Sequence, residues 1–492
     1  RGLGDVYKRQ DGYVFEKGSG ANIKFYDARD SLGLKLGAEA SMEDKGIKLH
    51  LLTDEPILGY KKFKVNEDNY IYMGTDRRVS ANLRLMATDG TGVHIYSNDD
   101  NTEALQDLTI GLNKFDLEKV LSVVPYMPNI TGIMNGDFHI IQMSDNLSLS
   151  AAISVDKMTY ERSRMGNIST EFVYMPQSGG AHSLDGVLNC NNKQVAELSG
   201  TYNSEGEGNL DAKLTMSRMP ARLINGFIPD RIIRLNGYAN GEIALKGTLD
   251  KPQANGEIKF DSCYMRSAQY GVRMRFSEDP LRIVGSNLLF EDFKMYANND
   301  NPLTLNGNID FSNLDNMNMD LRMVARNCQV IDSKENRRSI AFGKAFVDFF
   351  ATMRGPVERL EMLGRLDVLG TTDMSYILRD TPLSTDNRMD DLVKFVSFED
   401  TVATVVEHQP MSGFTMDLTM NIDQGAHVMC YLDAAHSNYL DIMGGGSLRM
   451  QYDMSGNIRL TGRYTLDNGE MKYSLPVICL LYTSDAADDL IG

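Results

Sequence analysis

A short cadence of glycine and apolar residues recurs along this chain and constrains its fold. The segment Gly241–Gly247 reads GEIALKG, and Gly456–Gly462 reads GNIRLTG with the same spacing. Apolar residues two positions apart share one face of a β-strand, and glycine fits where the backbone turns or kinks. Strands with a single apolar face cannot bury that face alone. The cadence therefore predicts strand, turn and strand repeated along the chain, with neighbouring strands stacked.

The repeat continues beyond these two copies. Gly256 follows Gly247 by nine positions, and Gly364 follows Gly355 by the same interval. A longer unit of helix, turn and strand recurs after about 105 residues. Its first copy contains Leu117, Val120, Leu121, Val124, Pro125, Gly132 and Gly136, and its second contains Leu223, Ile224, Phe227, Pro229, Gly237 and Gly241. Each copy predicts a short helix before a new series of strands.

Apolar and polar residues alternate through many segments, which predicts half-buried antiparallel strands. The clearest is Phe414–Ile422, in which every second residue is apolar. Further segments are Leu147–Val155, Leu303–Phe311, Met317–Met323 and Leu448–Tyr452. Polar clusters such as Asn203–Gly208 and Asn298–Asn301 predict the loops between strands. The fold class is all-β, an elongated solenoid of repeated sheet with a few short helices.

One more helix is predicted outside the repeats. Met389, Leu392, Val393 and Val396 have the spacing of an amphipathic helix, directly after a turn-rich segment. We expect this helix to cap part of the sheet.

The same patterns divide the chain into predicted domains. Residues 1–10 and 479–492 lack the alternation and resemble translated sequencing-adapter sequence, so we expect both to lie outside the fold. The chain begins without methionine, so we expect an internal fragment of a longer protein. Between the two ends we expect β-repeat units at 11–115, at 116–228, opening with a short helix, and at 229–342, then a C-terminal domain at 343–478.

Composition excludes several classes of function. The net charge is −17 and there is no tryptophan. Nucleic-acid binders carry a basic surface with interleaved aromatic residues, so nucleic acid is not expected as a partner. No apolar run reaches the roughly 18 residues that a membrane-spanning helix needs. Cys190, Cys263, Cys328 and Cys430 are isolated, which predicts small core residues rather than a disulfide framework.

One cluster has the composition of a metal site but not its geometry. His427, Cys430 and His436 are close in sequence. On a strand, residues 427 and 430 point to opposite faces, which prevents them from binding one ion. Neither a metal nor a cofactor is therefore expected.

No motif in the chain indicates an enzyme. The acidic pairs Asp390-Asp391 and Glu399-Asp400 are expected to be solvated surface in so acidic a chain. The pair Gly206 and Gly208 lacks the third glycine of a dinucleotide fingerprint and lies in a polar loop. The run Gly444–Gly446 precedes a strand rather than a helix, so we expect a turn and not an anion cradle.

The remaining candidate for function is the apolar face itself. The chain has 29 methionines, and methionine is flexible and polarizable enough to contact partners of varied shape. Such a face suits acyl chains or unfolded apolar strands if it stays open, and is ordinary core if it closes. The candidate lining residues are Ile243, Leu245, Ile258, Phe260, Leu303, Leu305, Met319, Leu321, Leu366, Val368, Phe414, Met416, Leu418, Met420, Ile422, Leu448, Met450, Ile458 and Leu460.

The segment Gly445–Ile478 resembles the C-terminal domain of TamB, a translocation and assembly module subunit among the AsmA-like envelope proteins. The resemblance extends over roughly residues 11–478 and is most specific in this final segment. It ends after Ile478, where the family continues into its own C-terminal end. The abundance of Asn, Asp and Met is similar to that of Bacteroidetes members.

The resemblance implies a taco-shaped β-sheet whose hydrophobic groove runs between the two membranes of a diderm bacterium. Family members are anchored in the inner membrane by an N-terminal segment and work with an outer-membrane β-barrel partner of the Omp85 type. They are associated with phospholipid transport and with assembly or secretion of outer-membrane proteins. These properties are expectations that come from the resemblance alone.

Three functions remain open at this point. The first is a periplasmic bridge that conducts phospholipid acyl chains along the groove. The second is an interaction scaffold that guides outer-membrane client strands by pairing with a free sheet edge. The third, an enzyme such as a polysaccharide lyase on a closed β-helix, needs a carboxylate cluster on adjacent rungs, which the sequence lacks.

Overall fold

A computed structural model describes residues 7–473 except 28–29, 44, 53–54, 99, 123–126, 145, 205, 207, 228–232, 249–250, 269, 338, 379–412, 434 and 455–456. These residues are nearly all β, and 31 strands form one large mixed sheet, which confirms the predicted fold class. Helix is limited to α1 (Leu117–Ser122) and two short 3-10 segments, Ala221–Phe227 and Leu314–Asn316. None of the helices described is long and apolar enough to cross a membrane.

The strands are β1 (Tyr7–Phe15), β2 (Gly18–Tyr26), β3 (Leu32–Glu43), β4 (Gly46–Leu51), β5 (Ile57–Leu58), β6 (Lys61–Lys62), β7 (Lys64–Val65), β8 (Tyr70–Gly74), β9 (Val79–Met86), β10 (Gly92–Ser97), β11 (Gln106–Asp116), β12 (Ile130–Gln142), β13 (Leu147–Tyr160), β14 (Ser163–Pro176), β15 (Ala181–Cys190), β16 (Lys193–Asn203), β17 (Asn209–Pro220), β18 (Arg234–Gly247), β19 (Gln253–Ser267), β20 (Val272–Phe276), β21 (Leu281–Val284), β22 (Asn287–Tyr296), β23 (Pro302–Asp310), β24 (Asn318–Ser333), β25 (Ala341–Pro356), β26 (Leu360–Val368), β27 (Asp373–Ile377), β28 (Phe414–Ile422), β29 (His427–Tyr431), β30 (Tyr439–Tyr452) and β31 (Ile458–Lys472).

The chain forms two compact units. The first comprises Arg1–Phe227 with Ala239–Glu257, and the second comprises Ile228–Tyr238 with Ile258–Gly492. The finer domain boundaries expected from the repeats stay predictions.

In the first unit the strands pair almost in chain order. The antiparallel ladder runs β1-β2-β3-β4-β8-β9-β10 and continues from β10 to β17 with each strand beside the next. The short strands β5, β6 and β7 lie along β3 and β9. This is the repeated one-sheet pairing that the alternation predicts.

In the second unit the ladder runs from β22 to β25 in chain order and then departs from it. The strands β26 and β27 pair with successive parts of β25, and β28 and β29 pair with successive parts of β30. Between them, β26 pairs with β28 and β27 with β29, both in parallel. β26 and β27 together thus occupy the position of one strand beside β25, and β28 and β29 together occupy the position of the next strand, beside β30. β31 pairs with the other side of β30.

Nearly all strand pairings are antiparallel, as expected, and the two parallel pairs are exceptions. A parallel pair cannot be closed by a tight turn and needs a long crossover. The residues between Ile377 and Phe414 supply that connection. The helix predicted from Met389, Leu392, Val393 and Val396 falls in it and lies outside the described residues.

The glycines of the cadence occupy two kinds of position. Gly247 is the last residue of β18 before the connection to β19, as strand, turn and strand predicts. Gly241 and Gly462 instead lie inside strands, and Gly456 lies outside the described residues. Gly241–Gly247 is the second half of β18, and Gly462 lies within β31 with φ of 146°. A Cβ on Gly462 would overlap the carbonyl oxygen of Ser447 on β30. Glycine is needed here because two backbones approach closely and φ is positive, not because the chain reverses.

The run Gly444–Gly446 is likewise not a turn, which corrects the prediction. It lies in the middle of β30. A Cβ on Gly444 or Gly446 would overlap a carbonyl oxygen of β31. The nine-residue glycine spacing has a simpler explanation, because Gly355 is the next-to-last residue of β25 and Gly364 lies in its hairpin partner β26.

Both short helices of the long repeat lie where the sequence predicts them. Leu117–Ser122 is α-helical, whereas Ala221–Phe227 is a 3-10 helix. Each precedes a strand that contains a glycine with positive φ, Gly132 at 136° and Gly237 at 97°. The residues Val124, Pro125 and Pro229 lie outside the described part.

Residues 7–10 differ from the expectation that the first ten residues lie outside the fold. They belong to β1 and pair with Ile23–Tyr26 of β2. Lys8 and Gln10 are the register partners of Phe25 and Ile23. Backbone hydrogen bonds extend the sheet here without the apolar alternation on which the sequence argument depended.

Candidate functional site: the apolar face of the sheet

In the second unit, strand register aligns apolar residues into continuous rows. Paired residues of adjacent strands project from the same face, so each row can be followed across seven strands. The first row is Leu305, Met323, Ala351, Gly364, Leu418, Met450 and Leu460; the second is Leu303, Ala325, Phe349, Leu366, Met420, Leu448 and Gly462; the third is Gly307, Leu321, Met353, Met362, Met416, Tyr452 and Ile458. We call this surface the second apolar face.

Most of the predicted lining residues lie on this face. They are Leu303, Leu305, Met319, Leu321, Leu366, Val368, Phe414, Met416, Leu418, Met420, Ile422, Leu448, Met450, Ile458 and Leu460. Ile243 and Leu245 lie on β18 in the first unit, and Ile258 and Phe260 on β19 in the second. That these side chains line a groove stays a prediction.

The second apolar face is filled at one end and accessible at the other. Near β20–β25, Phe276 and Phe293 meet edge to face at 5.9 Å, and Phe260 contacts both. On β31, by contrast, Ile458 and Leu460 are 63% and 53% exposed. The side chains on β26, β28 and β30 between these ends are mostly half-buried. The face is therefore a packed core near β20–β25 and a partly open surface elsewhere.

Leu418 is an exception in this middle region. It is 3% exposed, between Gly364 and Met450 in its row. Its neighbours Met416 and Met420 on the same strand and face are half-buried. Leu418 therefore belongs to the packed core, whereas the two methionines remain accessible.

The first unit has a comparable surface that the predicted lining set missed. One row is Ile110, Phe138, Ala151, Phe172, Gly186, Leu198 and Leu214, and the next is Leu108, Ile140, Leu149, Tyr174, Leu184, Gly200 and Ala212. We call this the first apolar face. Most of its large side chains are half-buried. The register continues this face from β11 through β10 to β9, where Leu85 belongs to a buried cluster with Phe63 and Ala87. Alternation along β13 was recognised in the sequence, and the same signal in β12, β14 and β16 could have extended it.

The opposite face is polar and carries cross-strand ion pairs. Arg449 on β30 donates to Asp417 on β28 at 2.9 Å, and these hydrogen bonds lower the pKa of Asp417. In the first unit, Lys213 lies 2.7 Å from Glu242. Exposed pairs of this kind contribute little stability. They do show that one side of the sheet is polar and solvated, whereas the other side is apolar.

His427 lies in a clamp that sequence reasoning missed. Its Nδ1 is 2.8 Å from Asp373 on β27, and its Nε2 is 2.7 Å from Asp441 on β30. Carboxylates only accept, so the doubly protonated imidazole donates to both. The hydrogen bond to Asp441 raises the pKa of His427, burial opposes this, and the hydrogen bond to Asp373 raises the pKa further. Neither aspartate has a local sequence signal that connects it with His427.

We expect His427→Gln to destabilise the second unit mainly at acid pH. Because the folded pKa lies above the ordinary 6.5, the contribution of His427 is complete below pH 6.5 and is lost as the pH rises through the folded value. Since the side chains are partly exposed, we expect a loss of about 1 kcal/mol or less at about pH 5.5, and a smaller one at about pH 8.5. Urea denaturation at both pH values measures the difference. A loss equal at both would contradict the ion pair.

The metal cluster considered from sequence is not assembled. Residues 427 and 430 of β29 face opposite sides of the sheet, as the alternation predicts. In the described ranges, no group of three or more His, Cys, Asp or Glu side chains is placed to hold a metal ion. The acidic pairs Asp390-Asp391 and Glu399-Asp400 lie outside those ranges.

The cysteines occupy core positions, as predicted. Cys190, Cys263 and Cys328 are buried, Cys430 is half-buried, and all four are free thiols. Burial raises the pKa of Cys328 to about 11. A thiol held in its neutral form is unreactive, so Cys328 packs rather than reacts.

β31 is the last strand of the described part of the sheet. In the described part of the chain its one partner strand is β30. Its row positions present exposed Ile458, Leu460, Leu466 and Met471. An edge strand offers unpaired N–H and C=O groups for another strand to pair with.

Comparison with protein families agrees with this architecture. Residues 291–475 match the model of the TamB C-terminal domain, which confirms the resemblance over that range. No curated protein and no solved structure is significantly similar to the chain. The match implies an envelope role related to the translocation and assembly module, and association with a TamA-type partner. TamB is a structural or transport component and is not known as an enzyme.

Proposed function

We propose that this chain, whose residues 291–475 form a TamB C-terminal domain, conducts phospholipid along its apolar faces between the membranes of a diderm bacterium. In this way it supports assembly or secretion of outer-membrane proteins. The observation that carries the proposal is the set of aligned apolar rows whose side chains on β26, β28 and β30 remain mostly half-buried. A sheet face that only formed core would be sealed along its length.

The energetics suit transport. Burying an acyl chain of about 14 methylenes gains roughly 11 kcal/mol at about 0.8 kcal/mol each. Neighbouring rows offer nearly the same apolar environment, so a chain can slide without giving up this sum. The methionines Met362, Met416, Met420 and Met450 adapt their shape to such an occupant.

The proposed partners follow from the family and from the sheet edge. The whole protein would be anchored in the inner membrane and reach an outer-membrane barrel of the Omp85 type in the periplasm. β31 is suited to meet a partner by strand pairing, because among the described strands it pairs with β30 alone and its apolar side chains are exposed.

Met420→Glu tests the lipid proposal. A carboxylate in the half-buried row should abolish most photo-crosslinking to a diazirine-labelled phospholipid, because the charge would be desolvated beside the acyl chain. Thr419→Glu is the matched control, since Thr419 is exposed on the polar face of the same strand. It should crosslink as the wild type does. Equal lipid capture by both variants would refute conduction along this face.

The scaffold function remains the second candidate, supported by the exposed apolar side chains of β31, which pairs with β30 alone among the described strands. It predicts that Ile458→Lys combined with Leu466→Lys abolishes binding of the barrel or of a client strand. Met420→Glu should leave that binding intact. If the double variant in β31 instead loses lipid capture but still binds its partner, the result would favour conduction alone.

A further inference from the structure

A buried histidine lies among the apolar rows of the first unit. His182 on β15 is 4% exposed and shares the face of Leu184. Its register partners are Pro176 on β14 and Tyr202 on β16. The imidazole stacks on Tyr174, with ring centroids 4.7 Å apart and planes 2° from parallel. Thus an imidazole stacks on a phenol on a largely apolar face, and a second phenol occupies the neighbouring register position on β16.

The imidazole stacks on Tyr174, but one of its ring nitrogens lacks a hydrogen-bond partner in the described part of the chain. Among the described residues its Nδ1 has no hydrogen-bond partner, and it is shielded from solvent. Buried polar atoms in native proteins are nearly always paired, so an orphan atom needs an explanation. Asn69, which is also buried, shows the usual pattern, because its amide donates to Leu51 and Asn66 and accepts from Leu51. A residue whose only role is packing needs no buried nitrogen that lacks a hydrogen-bond partner.

The surroundings favour an acceptor oxygen with little charge. Burial raises the pKa of Tyr174, and the nearby Tyr202 raises it further, so the Tyr174 phenol stays protonated and can donate. The register neighbours of His182 are Pro176 and Tyr202, and neither is cationic. Strong binding of a phosphate diester would call for Lys or Arg. A carboxyl or ester oxygen needs only hydrogen-bond donors, which an imidazole N–H and phenol hydroxyls supply.

The location suits the polar end of an amphiphile. Pro176 ends β14, and the hairpin to β15 passes through Gly179 and Gly180, so His182 lies near the ends of the strands. From Tyr174 and Leu184 the adjoining row continues through Leu149 and Ile140. A polar group at His182 would therefore leave its acyl chain on apolar side chains.

We propose that His182, Tyr174 and Tyr202 form a binding station for the carboxyl or ester end of an acyl lipid. The imidazole N–H and the phenol hydroxyls donate to the lipid oxygen, while the chain lies along the first apolar face. The proposal rests on the proposed function, because it assumes that acyl chains occupy this face. It adds a fixed stopping point at which the head of the lipid is recognised.

The test is fluorescence titration of the full chain with cis-parinaric acid and with its methyl ester. His182→Leu should weaken binding of the acid at least fivefold, and Tyr202→Phe, which removes a single hydroxyl, at least twofold. Thr201→Leu is the control, because Thr201 is exposed on the opposite face beside Tyr202. It should bind both probes as the wild type does. Removing the orphan nitrogen should leave the melting temperature of the lipid-free protein unchanged or higher.

The outcomes separate the station from the conduit. Equal affinity of the wild type and of both the His182 and Tyr202 variants would overturn the station and leave conduction intact. Failure of the wild type to bind either probe would overturn occupation of the first apolar face itself. If only the acid loses affinity, the station recognises a free carboxyl group; if both probes do, an ester oxygen is sufficient, as in a glycerophospholipid. Should His182→Leu fail to fold, Tyr202→Phe alone decides.

Discussion

Leu418→Arg is expected to unfold the second unit. Leu418 is 3% exposed and lies in the packed row beside Gly364 and Met450. A guanidinium there would lose its hydration without gaining a partner, which places the expected loss at more than about 4 kcal/mol. Thermal denaturation followed by circular dichroism should show loss of the cooperative transition of this unit. Limited proteolysis should cut between residues 258 and 473 in the variant.

Met420→Arg is the matched comparison. Met420 lies on the same strand and face but is half-buried, so an arginine there can direct its charged end towards water along an apolar stem. We expect a loss of about 1 kcal/mol. Similar melting of both variants would show that the row is equally open at the two positions. Leu418 is accordingly a probe of folding, whereas Met420 is a probe of the occupant.

Gly307→Ala is expected to have the next largest effect. Gly307 has φ of 131°, and a Cβ there would overlap the carbonyl oxygen of Asp320 on β24. This region of φ is essentially reserved for glycine, so strain and backbone displacement should together cost about 3 kcal/mol. Denaturation by urea measures the loss.

Gly285→Ala separates the effect of backbone strain from the effect of close approach between strands. Gly285 has φ of 55°, and a Cβ there would enter open space. Alanine can adopt this left-handed conformation at a cost of about 1 kcal/mol. If the two variants lose the same stability, close approach between β23 and β24 does not restrict Gly307.

Sequence reasoning was most successful where the signal is local. Alternation alone identifies Phe414–Ile422 as a strand, and its five apolar residues do lie on one face. The same alternation places residues 427 and 430 on opposite faces. Both results follow from the two-residue period of a strand, which does not depend on the partner.

What the sequence missed depends on pairing. The parallel contact of β26 with β28 joins segments separated by a long crossover, and no local pattern selects that partner. The clamp around His427 similarly combines Asp373 and Asp441 from two other strands. Which rows become continuous is decided by register, and a shift of one residue would invert the face.

Glycine misled for a related reason. The triple glycine at Gly444–Gly446 is a turn signal by composition, yet it serves a close approach between β30 and β31. A tight turn and a close approach between two strands both favour a residue without a side chain. Only the neighbouring strand distinguishes them, and that strand is not visible in a local segment.

The interruption of chain order in the second unit also has a kinetic consequence. Each strand from β10 to β17 adds beside its predecessor, so that ladder can form step by step during synthesis from contacts that are close in sequence. β28 cannot join β26 until the long connection after Ile377 has closed, which carries an entropic cost. Until then the edge of β26 that pairs with β28 has no partner strand. We infer that this is the slow step of maturation and the stage most exposed to aggregation.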